Sequence, residues 1–296
     1  MQKKMMLIVN PAAGSGGYKY NFTEALYLLS LGGYTVTLFY TKGPKDATAF
    51  AEQYGAEYDV VSCIGGDGTL SEVLAGLMKI PNPPPVGYMP MGTANDVATT
   101  LALPKNDSFA AAKRILNGTP HPFDVGGFGN SDYFAYIAAF GAFTEVSYAT
   151  PQDQKKVLGH LAYVIQGIGQ LGKIEPIRTV VEYDGGVIEA NLLYGSMSNS
   201  TSVAGIVRLP EQMVCLGDGM SELVLVKEPK NVLEFNEMTN SVLTQRFDSE
   251  NLMVLHTKKA KFTFDKPIAW TRDGEAGGEY QTVELRNIKA PVQLIF

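Results

Sequence analysis

The stretch Gly65-Gly66-Asp67-Gly68-Thr69 constrains this chain more than any other, because it stands where the apolar run Val60, Val61, Cys63, Ile64 gives way to the helix-like Leu70-Ser71-Glu72-Val73-Leu74. Glycines let a backbone turn sharply and approach a ligand without Cβ interference. The unpaired N–H groups that open the next helix attract anions. Three glycines around one carboxylate therefore predict a phosphate site, with an ordinary strand-to-helix turn as the structural alternative. Pro90-Met91-Gly92-Thr93-Ala94-Asn95-Asp96-Val97-Ala98 repeats the arrangement at the next strand end. A third turn, Asn10-Pro11-Ala12-Ala13-Gly14-Ser15-Gly16-Gly17, follows the apolar residues 5–9. Open α/β sheets bind ligands at the carboxyl ends of their strands, so the three turns together predict a nucleotide phosphate site. The turn at Gly14-Ser15-Gly16 lacks the Gly-Lys-Ser/Thr ending of a Walker loop and does not match the dinucleotide fingerprint. That disfavours both a P-loop enzyme and an NAD-linked dehydrogenase of the usual type.

Up to about residue 125 the chain alternates strand-like and helix-like patterns in the manner of a parallel sheet covered by helices. Strands are expected at 5–9, 34–40, 59–64 and 86–89, and helices from Phe22, over 46–54 and over 70–78. Pro81-Asn82-Pro83-Pro84-Pro85 reads as a rigid connector rather than a docking segment. From Gly126 onward glycine turns and β-rich runs dominate (180–183, 187–194, 223–226, 261–264, 282–285), with one helix-like stretch at 159–171. A mainly antiparallel second domain follows. At 296 residues the chain also exceeds the roughly 100–200 residues usual for one domain.

Hydrophobic content of 45% with 18% charged residues fits a folded globular chain. No run approaches the roughly 18 apolar residues that cross a bilayer. The opening residues read as the first strand and not as a signal peptide, because Asn10-Pro11 ends the apolar run; a cytoplasmic location is expected. Cys63 and Cys215 both lie beside apolar residues, which predicts two buried free thiols. His121, His160 and His256 show no metal-ligand spacing. A net charge of −6 argues against nucleic acid as a partner. The basic groups Lys155-Lys156 and Lys258-Lys259 with Lys261 read as solvated faces, or as contacts with an anionic membrane.

Taken in order, these residues resemble the diacylglycerol kinase catalytic domain in its soluble bacterial lipid kinase form, related to sphingosine and ceramide kinases. The marks are Asn10-Pro11 with its glycines, Thr41 before Asp46-Ala47, the turns at 65–69 and 92–96, Phe123-Asp124-Val125, Phe140-Gly141-Ala142, Leu158-Gly159-His160-Leu161-Ala162-Tyr163, Gly217-Asp218-Gly219 and Asp273-Gly274-Glu275. The pentapeptide at 65–69 would not suffice alone, since NAD kinases and phosphofructokinases carry similar turns. The chain departs from the pattern at Gly43-Pro44-Lys45-Asp46-Ala47, which is longer than usual, and at Asn199-Ser200-Thr201-Ser202, which replaces a more glycine-rich stretch.

The resemblance implies a Rossmann-like α/β nucleotide-binding domain over 1–125 and a β-sandwich lipid domain over 126–286, with residues 287–296 returning to the first. ATP would lie between them. Asn10, Gly14, Ser15, Thr41, Gly66, Thr69, Met91, Gly92 and Thr93 would line the nucleotide site. Magnesium would supply the countercharge that a Walker lysine supplies elsewhere. Asp273 would be the general base with Glu275 as companion, and Asp67, Asp96, Asp124 and Glu275 would hold the magnesium; in sphingosine kinases the base is the aspartate that corresponds to Asp67. The plain alternatives are helix capping for Asp67 and Asp96 and a turn for Asp273. A second, structural magnesium would be held by Asp218 with the carbonyls of Cys215 and Met220, or Asp218 is simply part of a hairpin turn. Phe134, Ile137, Phe140, Phe143 and the apolar side of helix 159–171 (Leu161, Val164, Ile165, Ile168, Leu171) would line an apolar groove for the lipid, unless they are core.

The expected activity is transfer of the γ-phosphoryl of ATP to a lipid hydroxyl, with diacylglycerol the first acceptor. Phosphatidylglycerol, a sphingoid base or ceramide are the alternatives, and a binding-only regulator is the alternative of another class. Contact with the membrane that holds the lipid would be transient and at the surface; a homodimer is allowed.

Overall fold

The protein is described from a computed structural model, which covers residues 2–14, 21–141, 175–203, 207–210, 214–244, 246–247 and 249–296. The helix at 159–171, Ser15, Phe143, His160 and the Lys155-Lys156 pair lie outside the described residues.

Four parallel strands, β1 (Lys3–Val9), β2 (Tyr34–Tyr40), β3 (Val60–Gly65) and β4 (Val86–Pro90), run in the order β2-β1-β3-β4. Met5, Met6, Leu7, Ile8 and Val9 of β1 are all wholly buried, as a strand covered on both faces requires. The covering helices are α1 (Phe22–Leu31), α2 (Asp46–Tyr54), α3 (Asp67–Leu77), the single turn α4 (Asp96–Thr100) and α5 (Ser108–Asn117). Helices α2 and α3 touch through Gly76, where a Cβ would come within 2.4 Å of the Thr48 carbonyl oxygen. Helix α5 starts at Asp107, whose carboxylate accepts the Ala110 N–H at 3.0 Å. It was not expected, and neither were α6 (Val232–Leu243) and β13 (Leu252–Thr257).

The expected split into a Rossmann-like parallel domain and a separate antiparallel β-sandwich is corrected by the strand pairing. The second half adds β5 (Pro120–Phe128), β6 (Asp132–Phe134), β7 (Ile137–Gly141), β8 (Ile177–Tyr183), β9 (Gly186–Ser198), a small β10 (Ser202–Val203) and β11 (Val207–Arg208) pair, β12 (Ser221–Lys227), β14 (Lys259–Arg272) and β15 (Glu275–Ile295). Among the described residues, all of these except the separate β10–β11 pair join β13 and β1–β4 in a single mixed sheet of 13 strands. The physical cause is β15, 21 residues long. It pairs antiparallel with β14, then with β5, and at Leu294 and Ile295 it runs parallel to β4. Within the antiparallel part, β7, β9, β8 and β14 close on one another into a small barrel, because β14 shifts register between Thr263 and Ile268 and so reaches β8 with one end and β7 with the other. A barrel this narrow is filled by side chains. Here Trp270 and Phe140 meet at 4.8 Å between ring centroids, and Phe262 and Trp270 at 5.2 Å.

Phe134, Ile137 and Phe140 are buried core residues. Cys63 is buried and free, as expected, but Cys215 is exposed. Cys215 sits in a loop whose neighbour Leu216 accepts the Asp124 N–H at 2.7 Å, which holds the backbone in and leaves the thiol out. Among the described residues, no helix is long and apolar enough to cross a membrane.

Candidate functional site

The three glycine turns meet where β1, β3 and β4 end. The Asn10 N–H donates to the Ile64 carbonyl at 2.9 Å and the Met91 N–H to Gly65 at 2.7 Å, so each turn is stitched to its neighbour. The Asn10 amide donates to the Thr69 hydroxyl at 2.9 Å and its oxygen accepts the Ala12 N–H at 3.0 Å. Thr41 lies at the end of β2, buried, its N–H on the Val9 carbonyl at 2.9 Å. Two glycines have no substitute here. A Cβ on Gly92 would stand 2.4 Å from Gly66 Cα, and Gly14, at φ +57°, has the Met91 oxygen 2.4 Å from where a Cβ would be.

Asn95 shapes the middle turn, and motif reasoning had not given it a role. It is left-handed (φ 54°), is 1% exposed, accepts the Gly92 N–H at 2.9 Å and donates to the Gly92 carbonyl at 2.8 Å. Thr93 and Ala94 are thereby pushed to the surface as the tip of a closed loop. The floor where the turns meet is built of backbone and small side chains, which suits a polyphosphate.

Carboxylates surround this floor. Asp67, at the first position of α3, does not cap its own helix. Its two oxygens accept the N–H groups of Asp96 at 2.9 Å and Val97 at 3.2 Å, so it caps α4. Burial raises its carboxyl to about 6, against the lowering effect of those two N–H groups. Tyr88 stands between Asp67 and Asn95, its hydroxyl 3.5 and 3.4 Å from their oxygens. Asp96 opens α4, half-buried, and its charge opposes that of Asp67.

Asp273 approaches from the other side of the sheet system, at the turn between β14 and β15 (φ 49°). Its carboxylate accepts the N–H groups of Ala135 at 2.6 Å, Tyr136 at 2.9 Å and Ile137 at 3.1 Å. Burial still raises its carboxyl, against a hydrogen bond from Ser71 of α3 and those three N–H groups. The Ser71 contact and the mutual repulsion with Asp67 join Asp273 to the first turn. Glu275 completes the join: the residue is at the surface, yet a Cβ on Gly68 would fall 2.5 Å from its Oε1. Its carboxyl is raised by its own partial burial and then by Glu72 and Asp273.

Asp124 belongs to a different group. One oxygen accepts the Gly219 N–H and the other the Ala290 N–H, both at 2.7 Å, and its carboxyl is raised by burial and then by the charge of Asp218. The Asp218 carboxylate accepts the Met220 N–H at 2.8 Å, and the Met220 carbonyl accepts from Asn287 at 2.9 Å. Glu222, missed from sequence although it interrupts an apolar strand, is 1% exposed beside them, and burial pushes its carboxyl up to about 8. Among the described residues, no three His, Cys, Asp or Glu side chains are grouped closely enough to hold a metal ion by themselves. Asn199 links the two groups: its N–H donates to the Tyr136 carbonyl at 2.8 Å and its amide to the Asp124 carbonyl at 3.3 Å.

Comparison with known proteins bears on this geometry. Residues 4–128 match the diacylglycerol kinase catalytic domain. The chain is 31% identical to a diacylglycerol kinase of Bacillus subtilis (strain 168), over 93% of this chain and 91% of the relative. A diacylglycerol kinase crystal structure from Bacillus anthracis str. Sterne superposes with a TM-score of 0.77 at 22% identity, covering 99% of this chain and 97% of the other. An NAD kinase from Archaeoglobus fulgidus, in complex with ATP, shares the fold more loosely, with a TM-score of 0.56 at 13% identity over 99% of this chain and 93% of that one.

Proposed function

The chain belongs to the diacylglycerol kinase catalytic domain family and is an ATP-dependent lipid kinase, and from that premise we propose that it phosphorylates the free hydroxyl of diacylglycerol to give phosphatidic acid. The observation that carries the reading is the convergence of Asp273, held by three backbone N–H groups, with the Asp67 and Gly68 turn through Ser71 and Glu275. A buried acid is thereby brought beside a backbone-lined phosphate floor.

In the proposed reaction the lipid hydroxyl oxygen forms a bond to the γ-phosphorus, the bond from that phosphorus to the β–γ bridging oxygen breaks, and ADP leaves. The hydroxyl proton passes to Asp273. A carboxyl raised by burial is a better proton acceptor than a solvated one. Asn10, Gly14, Ser15, Thr41, Gly66, Thr69, Met91, Gly92 and Thr93 line the nucleotide in this reading. The donors also fit magnesium, since Asp96, Asp67 and Glu275 offer hard oxygens around the phosphate floor. When bound, the ion supplies the positive charge against the phosphates that a Walker lysine supplies elsewhere. Asp67 serves chiefly to hold α4 so that the Asp96 carboxylate stays in place. At the second carboxylate group, Asp218 with the Cys215 and Met220 carbonyls has oxygen chemistry suited to a structural magnesium, with Asp124 bracing that loop through the Gly219 N–H. Contact with the membrane is transient and confined to its surface.

The test is transfer from γ-labelled ATP with magnesium into micelles containing diacylglycerol, phosphatidylglycerol, ceramide or sphingosine in parallel. Selective labelling of diacylglycerol that falls by about 10²–10⁴-fold in Asp273→Asn is expected. Labelling of another lipid would rename the acceptor. No labelling with ATP still bound would leave a binding protein.

A further inference from the structure

Past α4 the chain folds back on the middle glycine turn. Leu101 and Leu103 are buried, and Ala102 and Asn106 are left-handed, at φ 50° and 57°. The Leu103 N–H donates to the Ala98 carbonyl and the Asn106 N–H to the Pro90 carbonyl, both at 2.9 Å. Pro90 is the last residue of β4, at the foot of the turn. Lys105 is therefore fixed between a buried leucine two residues before it and a backbone hydrogen bond on the residue after it.

The Lys105 ammonium lies at the tip of that turn, where it donates to the Ala94 carbonyl at 3.2 Å and to the Thr99 hydroxyl. Both acceptors are neutral, so neither cancels its charge, and an ammonium has a third proton to give. Lys105, Thr93, Ala94 and Thr99 are all exposed, so an anion on the turn reaches the ammonium without disturbing the core. The floor beside it is short of positive charge. The charges of Asp96 and Asp273 both reach Asp67, and like charges repel a polyphosphate as they repel one another. A lysine ammonium is a compact charge on a flexible stem, and it binds phosphate as such.

We propose that Lys105 binds the phosphates of the nucleotide, its ammonium exchanging one of its two neutral acceptors for a phosphate oxygen when ATP settles on the Gly92-Thr93 turn. This rests on the ATP-dependent kinase reading above. The cation that the Gly14-Ser15-Gly16 turn does not carry in its own sequence then comes from the far side of the next turn but one, delivered by the fold-back after α4.

The experiment measures calorimetric binding of an ATP analogue with an imido group at the β–γ bridge, in the presence of magnesium, to wild type, Lys105→Met and Lys105→Arg. Methionine keeps an unbranched stem and removes the charge, whereas arginine keeps the charge. Lys105→Met is expected to bind the analogue about tenfold more weakly, the worth of one hydrogen bond from a charged donor. KM for ATP should rise to match, with KM for diacylglycerol and thermal unfolding unchanged, and Lys105→Arg should recover most of the affinity. A Lys105→Met protein that binds the analogue as wild type does overturns the proposal. So does one that loses affinity only together with earlier unfolding and is not rescued by arginine, which makes Lys105 a staple of the loop. Unchanged analogue binding with loss of activity on vesicles of diacylglycerol in phosphatidylglycerol, but not on vesicles of diacylglycerol in phosphatidylcholine, also overturns it and assigns Lys105 to the phosphates of the lipid surface. A wild type that does not bind the analogue overturns the kinase reading itself, and the proposal with it.

Discussion

Gly92 and Gly33 show how differently two glycines of this chain depend on lacking a side chain. A Cβ on Gly92 would meet the Gly66 backbone at 2.4 Å, whereas Gly33, at φ +89°, has nothing within 4 Å. Gly33→Ala is therefore expected to cost only the strain of a left-handed backbone, about 1–2 kcal/mol in urea unfolding, and to leave KM for ATP unchanged. Gly92→Ala forces two turns apart, and its KM for ATP is expected to rise at least about tenfold. Glu222 carries a prediction in pH. Its carboxyl is raised from 4.5 to about 8 by burial, so the folded state takes up a proton that the unfolded chain releases at lower pH. Its contribution is fully present below about pH 4.5 and is lost as pH rises through about 8. Stability measured by urea should fall across that window, and Glu222→Gln should flatten the slope. The glycine turns and the carboxylates beside them were legible because they recur at set spacings along the chain. Asn95 and Glu222 were not legible, because their significance lies in what they face in the folded chain.

At the scale of elements, the most consequential finding is that Asp67 begins one helix and caps another. Losing both N–H contacts in Asp67→Ala should destabilise the fold by about 1–2 kcal/mol, seen as a lower urea midpoint, besides lowering turnover. Asp67→Asn retains one acceptor oxygen and should lose about half as much stability. Its raised carboxyl also has a sign. With a folded value of about 6 against the ordinary 3.8, its contribution to stability is greatest below about pH 4 and is lost as pH rises through about 6. The helices over 46–54 and 70–78 were readable from apolar spacing, and α2 occupies Asp46–Tyr54. Helix α6 was not, because two of its first apolar residues, Val232 and Leu233, are exposed, so its pattern does not point to a core.

For the whole molecule, β15 decides the architecture. Val292, Leu294 and Ile295 near its end are each at most 6% exposed and lie against β4 and β5. A chain ending at Ala290 loses all three, and burial of such side chains is worth about 1.5–3 kcal/mol each. Urea unfolding of that truncation should show a loss of at least about 4 kcal/mol, or no folded state. Local sequence settled where the chain turns, where glycines and carboxylates gather, and which runs were apolar enough to be strands, since each depends on residues within a few positions of one another. Whether those strands made two sheets or one was settled only in three dimensions, because hydrogen-bond partners along a strand are chosen by distant segments. The same holds for the division of the carboxylates: Asp273 reaches Asp67 through Ser71, while Asp124 turns to Gly219 and Ala290, and charge repulsion together with buried N–H groups needing acceptors sorted them.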